Sequence, residues 1–334
     1  MSTITRDPHT WFVVTNSKGE KQTLTNDDDH AYSFAFEVNF ANASTPQTNT
    51  VTIYNMAKKH RNFYQKGQKC RLYFNWGAAK KLICEGYISR IGVSQSDGVT
   101  DSLVITFTEG TDYSNVLARK LKVTKTKQVN SYKTIKTRVP GHWVKRRVIV
   151  NHHYKYKKVW VKATVKKKRV KTRKTKSYQT NIAFHKGKKY SYIIRAIASQ
   201  AGIKISKMQL ANDKTMKRAY TAKGKPLKLI TELAKKCGSK MTYIRGKLVI
   251  VNPKSKKRTW YEIDDNDLME PPTESDDSDN GTTWEITTPL VPDITVNVGI
   301  RMKSRYLKGN FYVTSGQHSS DGDSLQTQCS LKKI

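Results

Sequence analysis

The chain has 334 residues, 37% of them apolar and 10% aromatic, enough for two or three folded domains with real cores and unlike a disordered composition. Lys and Arg outnumber Asp and Glu by 62 to 26, a formal net charge of +36 that points to an anionic partner. No run approaches the ~20 apolar residues of a membrane helix, and the start MSTITRDPHT lacks the apolar centre of a signal peptide. Cys70, Cys84, Cys237 and Cys329 are scattered without a CxxC pair, which argues against a zinc ribbon or a disulfide framework. Buried thiols in a protein made in a reducing cytoplasm are expected.

In chain order, residues 11–15 and 32–40 read as strands around a Ser17-Lys18-Gly19 turn, with Phe34, Phe36 and Val38 at alternate positions on a buried face. Asp27, Asp28 and Asp29 read as a solvated loop with too few oxygens for a cation. Residues 50–89 hold three β-branched and aromatic runs with Gly67, Gly77 and Gly86 near the breaks, the grammar of a β-meander. A strand at 102–108 (SLVITFT) follows the turn Ser96-Asp97-Gly98. Gly86 precedes that turn by ten positions, as Gly309 precedes Ser320-Asp321-Gly322 by eleven, and each turn leads to Ser-Leu and a strand. Two readings stand here: coincidence among common turn residues, or an internal duplication into two small barrels.

One segment makes the chain basic. Residues 113–212 contain no Asp or Glu and 29 of the 62 Lys and Arg, leaving 33 against 26 elsewhere. Within 119–176, valines alternate roughly with Lys, Arg and Thr, and Pro140-Gly141 and Asn151-His152-His153 read as turns. Two long hairpins are expected, with order lost over 165–176, where the apolar spacing fails. The candidate contact residues are Lys145, Arg146, Arg147, Lys157, Lys158, Lys162, Lys166, Lys167, Lys168 and Arg169, with Trp143 and Trp160. Trp143, Tyr154, Tyr156, Trp160 and Tyr178 interleave with these cations, which suits either a stacking platform for nucleic acid or a solvated face whose aromatics pack on its other side.

From Tyr190 the period becomes helical: Ile193, Ile194, Ile197, Ala198 and Ala201 share a face and Gly202 stops it. A second helix begins at Pro226, with Leu227, Ile230, Leu233, Ala234 and Cys237 inward and Gly238 past its end. Residues 241–251 read as a hairpin about Arg245-Gly246. Residues 262–285 carry about ten acidic side chains and read as an exposed loop between domains.

Three stretches have family wording. They are TVTIYNMAKKHRNFYQKGQKCRLYFNWGAAKKLICEGYIS, then SYIIRAIASQAGIKIS with KGKPLKLITELAKKCGSKMTYIRGKLVIVNP, and the tail VNVGIRMKSRYLKGNFYVTSGQHSSDGDSLQTQCSL. In that order, over about 80% of the chain, they resemble the late control protein D group of bacteriophage tail baseplate hubs. The basic segment has no counterpart in that pattern. The resemblance implies a mainly β chain with a small α+β part: a tube-like β-barrel domain (1–118), a basic β-hairpin insertion or arm (119–185), a small α+β domain (186–253), and an acidic loop with a second tube-like barrel (254–334). It implies a virion protein, a homotrimer whose six barrels make a six-fold-like ring between the tail tube or distal tail protein and a three-fold spike or fibre, with tape-measure protein and DNA passing through the channel. A conduit lined by phosphate-binding cations would retain its DNA, so the arm is expected to point away from the bore, toward an acidic baseplate partner or an anionic cell-wall polymer. A nucleic-acid-binding protein using residues 119–178 is the rival reading.

Enzyme chemistry finds little support. GxSxG, HExxH, Walker-type and GxGxxG patterns do not occur. His152-His153 lacks a neighbouring carboxylate or thiol, His318 reads as a strand-end hydrogen-bonding residue, and the carboxylates of 264–279 lie in a run without a cleft. No catalytic residue, metal site or cofactor is expected.

Overall fold

The computed structural model describes residues 7–26, 32–77, 79–92, 95–96, 98–255, 257–277, 281–322 and 324–334; the Asp27–29 loop and Asp97 of the first Ser-Asp-Gly turn lie outside them. Two units make up the chain, the residues up to Leu121 together with Ala183–Ile334, and Lys122–Ile182.

The strands of the N-terminal part are β1 (Pro8–Thr15), β2 (Lys21–Thr25), β3 (Phe34–Ala41), β4 (Thr48–Tyr54), β5 (Lys69–Trp76), β6 (Lys81–Ile91), β7 (Gln95–Ser96) and β8 (Asp101–Glu109), with the one-turn helix α1 (Lys58–Arg61) between β4 and β5. The second unit holds β9 (Lys122–Val139), β10 (His142–Val150), β11 (His153–Val161) and β12 (Thr164–Asn181). Then follow β13 (Ala183–Phe184), α2 (Tyr190–Ala201), β14 (Lys207–Met208), β15 (Tyr220–Thr221), α3 (Pro226–Lys236), β16 (Lys240–Ile244) and β17 (Lys247–Val251). The C-terminal part has β18 (Trp260–Ile263), β19 (Thr273–Asp277), β20 (Gly281–Pro289), β21 (Gly299–Lys303), β22 (Lys308–Ser320) and β23 (Leu325–Lys333).

Alternation builds the first core. Along β3 the side chains of Phe34, Phe36, Val38 and Phe40 are buried and Glu37 is exposed, the period-2 signature of a half-buried strand. Phe36 joins Phe12, Ile53, Leu72, Phe74, Ile88, Ile105 and Phe107. Phe40 instead enters a second core with Ile263, Ile286, Ile300, Phe311, Val313 and Leu331, while Leu290 from the C-terminal part enters the first. Trp76 reinforces that exchange, its indole N–H donating to the Leu290 carbonyl at 2.8 Å.

The two halves share one sheet. Its path runs β19-β20-β23-β22-β3-β4-β8-β6-β5-β1-β2, with β21 attached at β22, β18 at β21 and β7 at β8, and its hinge is the antiparallel β3–β22 ladder from Ser315 opposite Ala41 to Ser320 opposite Phe36. The chain is therefore mainly β, as expected, but among the described residues the path ends at β2 and β19 without closing into a barrel. The acidic stretch 262–285 is not a loop between domains: β19 and β20 pair as a hairpin with Glu274 opposite Trp284. The composition that suggested a loop belongs to a sheet edge, where exposed carboxylates discourage pairing with another chain.

The α+β part follows the sequence closely. Helix α2 buries Ile193, Ile194, Ile197, Ala198 and Ala201 and ends at Gly202 in the left-handed region, φ 72°. Helix α3 has Pro226 in its first turn and buries Leu227, Ile230, Leu233 and Ala234. The β16–β17 hairpin turns at Arg245-Gly246, both with positive φ, the backbone of a type I′ turn.

Candidate functional site: the basic hairpin

The second unit is one hairpin, where two were expected. Lys122 faces Asn181 and Val139 faces Thr164 in the β9–β12 ladder; His142 faces Val161 and Val150 faces His153 in β10–β11. These pairs keep a single register, so the four strands are two long arms interrupted once. The interruption is Pro140-Gly141, which is no turn: Pro140 has no N–H to give the ladder, and at Gly141 a Cβ would meet the Trp160 ring at 2.5 Å. The real turn is Asn151-His152, with φ 53° and 59°, a two-residue loop of the kind that matches strand twist. The loss of order expected over 165–176 does not occur, because every residue of β12 has a cross-strand partner in β9. Apolar spacing is the wrong signal for a ribbon with no core to face.

Counting from the turn separates the side chains into two faces. The front carries the cross-strand pairs Trp143/Trp160, Lys145/Lys158, Arg147/Tyr156 and Ile149/Tyr154, with Lys162, Lys166 and Lys168 further along. The back carries Val144/Val159, Arg146/Lys157 and Val148/Lys155, with Lys167 and Arg169 further along. Of the candidate contact residues, Trp143, Lys145, Arg147, Lys158 and Trp160 thus share a face, and Arg146, Lys157, Lys167 and Arg169 lie on the other. Trp143 and Trp160 meet edge to face with centroids 5.3 Å apart, and the Arg147 guanidinium lies 3.5 Å from the Tyr154 ring centre. All ten candidate cations are exposed. Ile149 and Tyr132, the latter under Arg169 at 4.4 Å, escaped the sequence reading; only the register of the turn would have found them.

The electrostatics of this unit are unbalanced. Lys145 faces Lys158, Arg146 faces Lys157 and Lys136 faces Lys167, and like charges directly opposite weaken a ladder. Lys122–Ile182 holds 21 of the 62 Lys and Arg and no acid, and the rest of the chain has the other 41 against 26 Asp and Glu. The chain cannot neutralise this hairpin from its own carboxylates.

The remaining chemical candidates are placed as follows. His152 is in the turn and His153 begins β11, both exposed, and no group of three or more potential metal ligands occurs among the described residues. His318 is buried in β22, its Nδ1 2.8 Å from Thr327 Oγ1 and its ring 4.9 Å from that of Phe40. Burial pushes its pKa down to about 3, so it is a neutral hydrogen-bonding residue of the second core. All four cysteines are free and buried.

No family model matches this chain, and no curated protein matches its sequence. Solved structures do. The 43 kDa tail protein of prophage MuSo2 from Shewanella oneidensis matches with a TM-score of 0.60 at 10% identity, over 97% of this chain and 98% of that one. The tail protein from Neisseria meningitidis MC58 matches with a TM-score of 0.57 at 10% identity, over 98% and 97%. The E. coli c3393 protein, a component of the type VI secretion system with structural similarity to the T4 bacteriophage tail proteins gp27 and gp5, matches with a TM-score of 0.54 at 8% identity, over 92% and 76%. The resemblance seen in the sequence thus holds for the fold: this chain is built like phage tail proteins over nearly its whole length.

Proposed function

We propose that this protein is a structural component of a bacteriophage tail, the hub of its baseplate. The observation that carries the reading is the likeness in fold to two tail proteins across nearly the full length of all three chains. On this reading the protein acts through interfaces and not through catalysis. Three copies form a ring in which the N-terminal and C-terminal halves of each sheet occupy successive positions, six in all, between a six-fold tail tube or distal tail protein and a three-fold spike or fibre. The tape-measure protein and DNA pass through the ring during genome ejection. The hairpins β6–β8 and β22–β23 support equivalent halves: each has a bulge and a glycine, Gly86 or Gly316, whose added Cβ would meet the partner strand's carbonyl oxygen within 2.3 Å. Lys122–Ile182 is then an accessory contact element, its cations turned away from the bore toward an anionic partner.

Light-scattering mass in moderate salt tests the hub. The full chain and a version with residues 122–182 replaced by a short Gly-Ser linker should both have the mass of three chains; the linker is undemanding because Lys122 and Asn181 are cross-strand neighbours. Monomers in both would sink the ring. A second reading, nucleic-acid binding, draws on the rings and cations sharing the front face of the hairpin. Monomers in both versions, with oligonucleotide affinity only in the full chain, would favour it.

A further inference from the structure

The far end of the hairpin differs from its shaft. Between the Pro140-Gly141 interruption and its opposite side, residues 142–161 comprise ten apolar or aromatic side chains, six Lys and Arg, and no acid. Two strands alone have no third layer, so neither face has a core to bury against. Yet both faces carry apolar side chains among their cations. The front exposes Trp143 by 64%, Ile149 by 66% and Tyr156 by 72%, and the back carries Val144, Val148 and Val159.

A stacking platform for nucleic acid needs rings on one face and gains nothing from branched aliphatics beside the turn. A medium that solvates apolar groups on both faces and cations around them is the interface of an anionic bilayer. There Trp and Tyr rings settle at headgroup level, branched aliphatics reach the acyl boundary, and Lys and Arg run their methylenes along apolar surface to reach lipid phosphates. The charge balance agrees, since neutralising the 21 cations of this unit takes an extended anionic surface. Crossing the bilayer is a different matter: an open two-stranded ribbon leaves edge N–H and C=O groups that hydrocarbon does not satisfy.

We infer that residues 142–161 are a membrane-docking tip that inserts shallowly into the headgroup region of an anionic lipid bilayer. This rests on reading Lys122–Ile182 as a contact element. The tip supplies apolar anchorage and the basic shaft supplies attraction to the surface.

The test uses the full chain and vesicles of phosphatidylcholine with phosphatidylglycerol, beside vesicles of phosphatidylcholine alone. The expected results are flotation with the anionic vesicles and quenching of tryptophan fluorescence by lipids brominated near the headgroup. The combined variant Trp143→Ser, Ile149→Ser, Tyr156→Ser and Trp160→Ser keeps every cation; it should lose about tenfold or more in vesicle affinity while single-stranded oligonucleotide affinity changes less than about twofold. Equal vesicle affinity in the variant would overturn the proposal in favour of charge alone, and a matching loss toward oligonucleotide would overturn it in favour of stacking. Quenching reads the unaltered chain, so absence of quenching overturns it even where the variant fails to fold. Failure of the hub is separable: a trimer that ignores vesicles leaves the ring intact, and a monomer that floats leaves the tip intact.

Discussion

The backbone N–H of Gly246 donates to Oε1 of Glu109 at 3.0 Å, and this bond docks the β16–β17 turn onto the end of β8. Around it, Tyr243 donates its hydroxyl to the Thr111 carbonyl at 2.7 Å, and Arg245 donates to Asp293 at 2.9 Å and to the Pro292 carbonyl at 3.0 Å. The turn therefore touches the N-terminal and C-terminal parts together. Glu109 is almost fully buried and has no cation within its bonds, so burial raises its pKa to about 7.

That carboxyl gives a first prediction. An acid whose folded pKa is raised stabilises the fold fully below its ordinary pKa and loses that contribution as pH rises through about 7. His318 works oppositely: with its folded pKa near 3, stability falls as acid protonates the unfolded imidazole below about 6.5. Between pH 5 and 6.5 the two slopes oppose, and above 6.5 only Glu109 remains. Urea denaturation should show a near-flat stretch from pH 5 to 6.5 and then a loss of about 1 kcal/mol by pH 8. Glu109→Gln should abolish the upper loss and expose a rise of the same order between pH 5 and 6.5. A parent chain as stable at pH 8 as at 6.5 would refute the assignment.

The same joint leaves Gly246 no room for a side chain. Its φ is 85°, and an added Cβ would lie 2.3 Å from the Glu85 carbonyl oxygen, a backbone atom with no room to retreat. Gly246→Ala should cost about 3 kcal/mol or more. Gly187→Ala, with φ 84° and nothing within 4 Å of the added atom, should cost the ~1 kcal/mol of a strained left-handed Ala alone. Equal midpoints for the two in a denaturant titration would show that the joint yields.

Much of this fold was legible because local rules suffice for it. Helix α2 could be read from Ile193 to Gly202, and β3 from Phe34 to Val38, since each repeats its own period. The next residue of that face, Phe40, keeps the period of β3 but serves the other core, and no window of sequence shows that β3 will meet β22. The Gly86 and Gly309 spacings ahead of the two Ser-Asp-Gly sequences are visible in the sequence, but the close backbone approaches are made by Gly86 and Gly316; a glycine needed for backbone contact carries no mark distinguishing it from one at a bend. In the hairpin, composition marked Lys145 and Trp143 as candidates, and only the Asn151-His152 turn determines which of them share a face.

Phe40 carries the third prediction. It extends from the N-terminal half into the C-terminal core and packs on His318. Phe40→Ala should cost 3–5 kcal/mol, the usual range for a buried phenylalanine. Because β3 and β22 share one ladder, a calorimetric scan of the version lacking residues 122–182 should show a single transition that moves down as a unit. Two resolved transitions, only one of them shifted, would mean that the halves fold independently and that the shared ladder contributes little.

The last prediction concerns the cations of the front face. Each phosphate neutralised by Lys or Arg on a single strand contributes about 0.7 to the slope of log affinity against log salt. Lys145, Arg147 and Lys158 share that face with Trp143 and Trp160, so replacing the three by Gln should lower the slope toward a single-stranded oligonucleotide by about 2. Replacing Arg146, Lys155 and Lys157, three cations of the back, by Gln should lower it by the same amount, because rings that anchor in a membrane leave the polyanion to sense the hairpin as a charged rod. Removing Lys158 also removes its repulsion with Lys145, so this loss of affinity should come with a ladder stabilised by a few tenths of a kcal/mol. A larger change for the front set would mean that the strand lies on the rings. The rings would then be a stacking platform for nucleic acid and not membrane anchors.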